Sequence, residues 1–340
     1  MINFTVPGVL TAVELQATVD SIAALQLPSG IIPWFLGGHT DAWNHVECAM
    51  ALTLGGRLAE AELAYQWMAD TQRHDGSWHN YYVGHADGTQ TVEDAKLDTN
   101  VVAYIATGIC HHVVNTGRVE FGRRMWPMVE QAIDFVLSLQ TPRGDIIWAK
   151  HADGHPWSYS LLTGSSSIAL SIRCALRLAD LLGEERLDWE LSVTSLEDVI
   201  RHRRDSFEPK ARWAMDWYYP VLAGVVNGPD AVALLRSRES EFWFEGKGIR
   251  CVRDAEWVTA SETCEAVMAY QSAGLDDEAR SLFAWCQTMR DADGSYFTGL
   301  AYPDLVFFPD HERSAYTAAA VVLAAHALSS EPFCRLGVIS

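Results

Sequence analysis

A chain of 340 residues with 49% hydrophobic content is long enough to bury a large core, and a single domain over 1–340 accounts for nearly all of it. Its 44 acidic residues against 25 basic ones leave a formal net charge of -19, and no basic stripe with interleaved aromatics occurs. Nucleic acid is thereby excluded as a partner and anionic lipid surfaces are disfavoured. No apolar run approaches the ~20 residues of a membrane span, and residues 1–11 lack the basic start and cleavage site of a signal peptide. No membrane partner is therefore expected, and the expected location is cytoplasmic. Seven cysteines are present, with Cys48, Cys110, Cys174, Cys264 and Cys286 inside apolar stretches and no CxxC pair. They read as reduced core residues, and neither a metal nor a cofactor is called for.

Taken in chain order, apolar periodicity and Gly, Pro and Asp punctuation predict helices at 12–26, 41–54, 57–72, 97–112, 118–140 and 164–182. Six more follow at 189–204, 215–226, 228–244, 258–274, 275–289 and 312–329. Two types alternate strictly along the chain. One carries charges on one face, as from Arg57 to Asp70; the other is rich in Ala, Ser, Thr, Cys and Gly, which lets it pack on every side. Alternating outer and inner helices predict an all-α toroid, an (α/α)6 barrel of six hairpins.

Three stretches repeat one design: Gln26 to Gly30 and Trp34, Gln72 to Gly76 and Trp78, and Gln140 to Gly144 and Trp148. Each closes an outer helix and opens a long connection to the next inner one. Inner helices instead pass outward through short turns such as Gly55-Gly56 and Asn227-Gly228-Pro229. About 25 residues from Arg73 to Leu97 form one of the long returns, a length that marks functional loops in compact domains. Because the order alternates, all long loops fall at one end of the barrel, and that end is the expected site.

The first inner helix opens with Gly37-Gly38-His39-Thr40-Asp41-Ala42-Trp43-Asn44-His45-Val46-Glu47. Asp41 sits where a helix cap would, and a cap alone explains it; yet Asn44 and His45 share its face, and Glu47 follows Asn44 by three. The second inner helix opens at Leu97-Asp98-Thr99-Asn100, with Asp98 again cap-like. The fourth opens with Arg212-Trp213-Ala214-Met215-Asp216-Trp217-Tyr218-Tyr219-Pro220, too many aromatic residues at one helix start for all to face inward. In the fifth, Glu262 follows Thr259 at capping-box spacing, so a structural role competes with a catalytic one there.

Several helix starts thus converge on one mouth, each with carboxylates and aromatic rings, a mixture suited to sugars. Rings stack on the apolar faces of pyranoses while Asp, Glu, Asn and His bind hydroxyls. The candidate catalytic pair is Asp41 and Glu262, an acid and a base on different inner helices. Flanking apolar side chains are expected to push Glu262 toward an acid, and Asn44 and His45 to keep Asp41 ionised. Candidate substrate contacts are Trp34, His39, Trp43, Asn44, His45 and Glu47 from the first loop and helix. Trp78, Tyr81, Asp98, Asn100 and Trp157 follow from the second and third, and Asp216, Trp217, Tyr218 and Trp257 from the fourth and fifth.

The repeats resemble those of squalene cyclases and protein prenyltransferases, but no DxDD-like acid motif and no DxC zinc pair occurs. A terpene cyclase or prenyltransferase-like enzyme is therefore an alternative reading, as is a sugar epimerase relying on His39, His45 or His79. Nearly the whole chain resembles the mycobacterial methylmannose polysaccharide hydrolases, endo-acting α-mannosidases. The resemblance rests on the segments quoted above, on Leu162-Thr163-Gly164-Ser165-Ser166-Ser167 and on Trp257-Val258-Thr259. It implies a six-hairpin glycosidase that cuts internal α-1,4 bonds of a 3-O-methylated mannan, with a poly- or oligosaccharide as its partner. Comparable six-hairpin enzymes mostly invert, which makes inversion the expected outcome. Oligomeric state is left open by the sequence.

Overall fold

The computed structural model describes residues 2–329. Twelve α-helices occur among them, beginning with α1 (Ala12–Ala23), α2 (Ala42–Leu54), α3 (Leu58–Thr71), α4 (Thr99–Thr116), α5 (Val119–Leu137) and α6 (Leu162–Leu182). They continue with α7 (Leu187–His202), α8 (Met215–Leu222), α9 (Gly228–Phe242), α10 (Ala260–Ser272), α11 (Asp276–Cys286) and α12 (Ala315–Ser329). Each expected helix is present. The largest boundary differences, four residues each, have local causes: α4 runs on past 112 to Thr116, where Gly117 turns left-handed (φ 69), and α8 stops at Leu222 because Gly224 turns left-handed (φ 69).

The even-numbered helices form the inner ring, each packing on the next from α2 to α12, and α12 closes on α2. Their small side chains permit this. In α4 every residue from Thr99 to Val113 is buried, and α12 buries Ala318, Ala319, Ala320, Ala324, Ala325 and Ala327. The odd-numbered helices lie outside and bury one stripe each, as α5 does with Phe121, Met125, Val129, Ala132, Ile133 and Val136. The architecture is an (α/α)6 barrel. No helix among the described residues is long and apolar enough to cross a membrane.

The repeated Gln-to-Gly element is a staple between neighbouring outer helices. Gln26 Nε2 donates to the carbonyls of Gly30 (3.0 Å) and Glu60 (2.9 Å). Gln72 Nε2 does the same to Gly76 (3.0 Å) and Met128 (2.9 Å), and Gln140 Nε2 to Gly144 and Ser192 (2.9 Å each). Each Gly lies at positive φ, 98°, 87° and 99° in order, with its α-carbon against backbone of the next outer helix. A Cβ on Gly76 would stand 2.1 Å from the Gln131 carbonyl oxygen, so both conformation and space demand glycine. A fourth copy, invisible to the Gln pattern, uses Arg290: its Nη2 donates to the Glu14 carbonyl (3.3 Å), and Gly294 (φ 93) abuts Ala17. It joins the sixth hairpin to the first.

The long loops that follow these staples are also stitched into a ring. Strand β1 (His39–Thr40) pairs with β2 (Tyr81–Gly84), which pairs with β3 (Gln90–Asp94). Strand β4 (Leu97–Asp98) pairs with β5 (Ala149–Lys150), and β6 (Trp257–Thr259) with β7 (Gly299–Ala301). Bridges Ser160 to Phe207 and Trp213 to Val252 continue the ring, and the Ala315 amide donates to the Trp34 carbonyl (2.7 Å). These pairings hold the helix starts of the inner ring rigidly around one mouth.

Candidate active site

Asp41 caps α2, its Oδ1 accepting the Asn44 backbone N–H (3.0 Å). Its Oδ2 accepts from the side-chain amide of Asn44 (2.7 Å) and the indole N–H of Trp34 (2.8 Å). Asp98 caps α4 through the amides of Asn100 (3.1 Å) and Val101 (3.4 Å). Both aspartates are therefore caps and cavity residues at once. On α10, by contrast, the expected capping box is absent: Thr259 makes no side-chain cap bond. Glu262 instead accepts from Ser261 Oγ (2.7 Å) and Cys251 Sγ (3.1 Å), which leaves it at the cavity wall.

The cavity has two lobes. The first, about 380 Å³, is lined by Asp41, Asn80, Tyr81, Lys96, Asp98, Asn100, Trp148, Thr163, Lys210 and Trp213, among others. The second, about 220 Å³, is lined by Glu47, Trp257, Thr259, Ser261, Glu262, Glu265, Thr298 and Tyr316. Trp34, Trp43, Asn44 and Met215 line both and form the waist between them. A larger surface groove of about 600 Å³ lies beyond the Phe35-Leu36 turn, lined by His311 and Arg313, and holds none of the candidate carboxylates.

Electrostatics separate the carboxyls. Burial pushes the Asp41 carboxyl up, against the pull of the Asn44 and Trp34 donors. Burial also raises Asp98, opposed first by Lys96. Glu47 is raised to about 7 by burial, opposed by Trp43 Nε1 (3.1 Å) and Tyr104 OH (3.2 Å) on its Oε1. Glu265 is pushed well above the carboxylate range by burial and then by the charges of Glu47 and Glu262. Its Oε2 accepts from Tyr218 OH and its Oε1 from Tyr219 OH (3.3 Å).

Of the sequence-derived candidates, Trp34, Asp41, Trp43, Asn44, Glu47, Tyr81, Asp98, Asn100, Trp257 and Glu262 are brought together here. Others require correction. His45 is sealed in the core: its Nδ1 accepts the Ile32 amide (3.2 Å) and its Nε2 faces the Ala64 carbonyl (3.0 Å). Burial lowers it to about 4, so it is neutral and lends Asp41 no charge. Trp78 is buried with its N–H on the Met68 carbonyl, and Trp217 is buried with its N–H on the carbonyls of Leu234 and Leu235. Tyr218 does not reach the cavity but grips Glu265 from behind.

His39 stands behind the wall, stacked on Tyr81 (4.3 Å between centroids), edge-on to Trp34 and bound at Nδ1 to Glu93 (2.8 Å). Asp216 is likewise one residue back, its Oδ1 accepting from Thr163 Oγ1 (3.2 Å), with burial raising it. Trp157 packs edge-on against Trp148 (4.7 Å) outside both lobes. The principal omission is Glu265, three residues after Glu262 and hence on the same helical face, with Met215, Lys96 and Lys210 also unselected. Neither lobe is lined by a histidine, and no group of three His, Cys, Asp or Glu side chains among the described residues is arranged to hold a metal ion.

No family model matches the chain. Over 324 residues it is 48% identical to the protein named MMP endo-(1,4)-3-O-methyl-alpha-D-mannosidase from Mycolicibacterium hassiacum, an alignment covering 95% of this chain and 88% of that one. A glycosidase solved in complex with glucose superposes with a TM-score of 0.70 at 12% identity, covering 93% of this chain and 96% of that chain. A D-mannose isomerase gives 0.69 at 12% identity over 94% and 97%. Cellobiose 2-epimerase from Spirochaeta thermophila gives 0.64 at 12% identity over 93% and 96%. At that identity the structural likeness establishes the shared barrel alone.

Proposed function

The chain belongs to the MMP endo-(1,4)-3-O-methyl-alpha-D-mannosidase family, and from that membership we propose that it hydrolyses internal α-1,4 bonds of a 3-O-methylated mannan with inversion. The observation that supports this reading is the waist, where Trp34, Trp43, Asn44 and Met215 stand between a lobe bearing Asp41 and a lobe bearing Glu262. A sugar chain threaded through both lobes has its middle bond at the waist, as endo cleavage requires.

In this proposal Asp41, whose carboxyl is raised by burial, gives its proton to the glycosidic oxygen as the bond to C1 breaks. Glu262 takes a proton from the water that attacks C1 from the opposite face. The products are two shorter chains, one with a new reducing end of inverted configuration and one with a free 4-hydroxyl. Protonation roles are thus the reverse of those expected from the sequence, because His45 contributes no charge and burial acts on Asp41.

An isomerase or epimerase mechanism relying on histidine finds no support in the cavity. His45 has both ring nitrogens engaged in the core, and His79 is held by the Ala95 carbonyl (3.1 Å) and Arg73 (3.0 Å). A terpene cyclase would need an apolar chamber, whereas Asn80, Lys96, Asp98, Asn100 and Lys210 line this one. Proton NMR of the first product of a 3-O-methylmannan oligosaccharide tests the mechanism. A β-configured new reducing end is expected, and an initial α-anomer contradicts inversion.

A further inference from the structure

An internal residue of an α-1,4-linked 3-O-methylmannan has C1 and C4 in linkages and O3 capped by methyl. Only the hydroxyls at C2 and C6 remain as hydrogen-bond donors, since an ether oxygen accepts and cannot donate. The second lobe carries two acceptor groups to meet them. Glu47 binds Trp43 and Tyr104 through Oε1 alone, and its Oε2 has no protein partner among the described residues. Glu265 is fixed from behind by Tyr218 and Tyr219, one to each oxygen.

Among the described residues neither carboxyl has a Lys, Arg or His within ion-pair distance, although Glu47 is 9% and Glu265 8% exposed. Buried carboxyls without a cation destabilise a fold, and packing gives no reason to keep two of them in one lobe. The aromatic and tyrosyl groups hold each one by part of its oxygen surface and leave the rest to a ligand.

Resting on the endo-mannosidase reading, we propose that Glu47 and Glu265 bind the free 2- and 6-hydroxyls of the sugar held in the second lobe. They are binding and specificity residues, distinct from the Asp41 and Glu262 pair. The pair thereby accepts a 3-O-methyl group, which faces neither carboxyl, and rejects a methyl group at O2, which would replace a donor by an ether against a buried acceptor.

The test compares two synthetic α-1,4-linked mannotetraosides, one methylated at O3 and one at both O2 and O3. Wild-type protein is expected to cleave the second with kcat/KM lower by on the order of 10³ or more, the usual outcome where a site built for a hydroxyl meets an analogue lacking it. Glu47→Gln and Glu265→Gln are expected to lose about 100-fold on the 3-O-methyl substrate and to narrow the discrimination. The wild-type comparison does not depend on either variant folding. Cleavage of both substrates within threefold by the wild type overturns the proposal, as do folded variants with wild-type kcat/KM and discrimination. If the wild type cleaves neither substrate, titration calorimetry with the same two compounds separates the claims. Binding of the 3-O-methyl form at least 100-fold tighter supports the two-carboxyl site and removes the hydrolase reading, whereas equal binding overturns the site as well.

Discussion

Replacing Glu47 by Gln isolates the electrostatics of the cavity floor. Burial raises this carboxyl from 4.5 to about 7, with the nearby Asp41 charge adding to the effect and the Trp43 and Tyr104 donors opposing it. At about 1.4 kcal/mol per pH unit, that difference corresponds to about 3 kcal/mol between the unfolded and folded chain. Because the folded value lies above the unfolded one, the protonated form favours folding. Its contribution is complete below pH 4.5 and lost as pH rises through 7. The amide variant keeps an acceptor for Trp43 and Tyr104 and has nothing to titrate. Denaturant unfolding of both proteins at intervals from pH 4 to 8 measures this directly. The stability of the wild type minus that of the variant should fall by about 3 kcal/mol between pH 4.5 and 7 and stay level outside that window. A flat difference, or one that rises with pH, refutes the reasoning.

Trp34→Phe removes one N–H from the Asp41 carboxylate, an interaction worth about 1.5–3 kcal/mol to the charged form. The alkaline limb of the kcat/KM profile should therefore move up by about 1–2 pH units, and an unmoved limb contradicts Asp41 as the acid. His45→Ala should cost about 2–4 kcal/mol of stability at pH 7 while kcat of the folded protein stays within about threefold. Loss of activity with unchanged stability would return His45 to the site. Gly76→Ala, which meets the Gln131 carbonyl at 2.1 Å, should cost about 3 kcal/mol or more. Gly88→Ala, at φ 84 with nothing nearby, should cost about 1 kcal/mol; equal thermal shifts for the two would remove the staple from the account.

The barrel was legible because each of its rules is local: small-residue helices alternate with one-faced ones, and loop length alternates with them. The site was legible in part for the same reason, since Asp41, Asp98 and Asn100 begin inner helices at the loop end. His45 was misplaced because sharing a face with Asp41 points to the cavity only if one face is exposed, and α2 is buried on most sides. The Trp residues divide by register: Trp34 and Trp148, four residues after their Gly, line the cavity, while Trp78, two after its Gly, fills the core. Glu265 carried a usable signal in its spacing of three from Glu262, but its tyrosine partners lie 47 and 46 residues away, and only the folded ring brings them together. Strands of two to five residues in the loops depend on partners in neighbouring loops, and no single segment encodes them.

The most direct test of the catalytic account is cleavage of methylmannose polysaccharide by the wild type beside Asp41→Asn and Glu262→Gln, with products read by mass spectrometry. Shorter methylated oligomannosides from the wild type, reduced by on the order of 10³ or more in both folded variants, are the predicted result. Wild-type levels of product from either variant would contradict the assigned pair. No product from the wild type, on this polymer or on unmethylated mannan, would contradict the hydrolase itself.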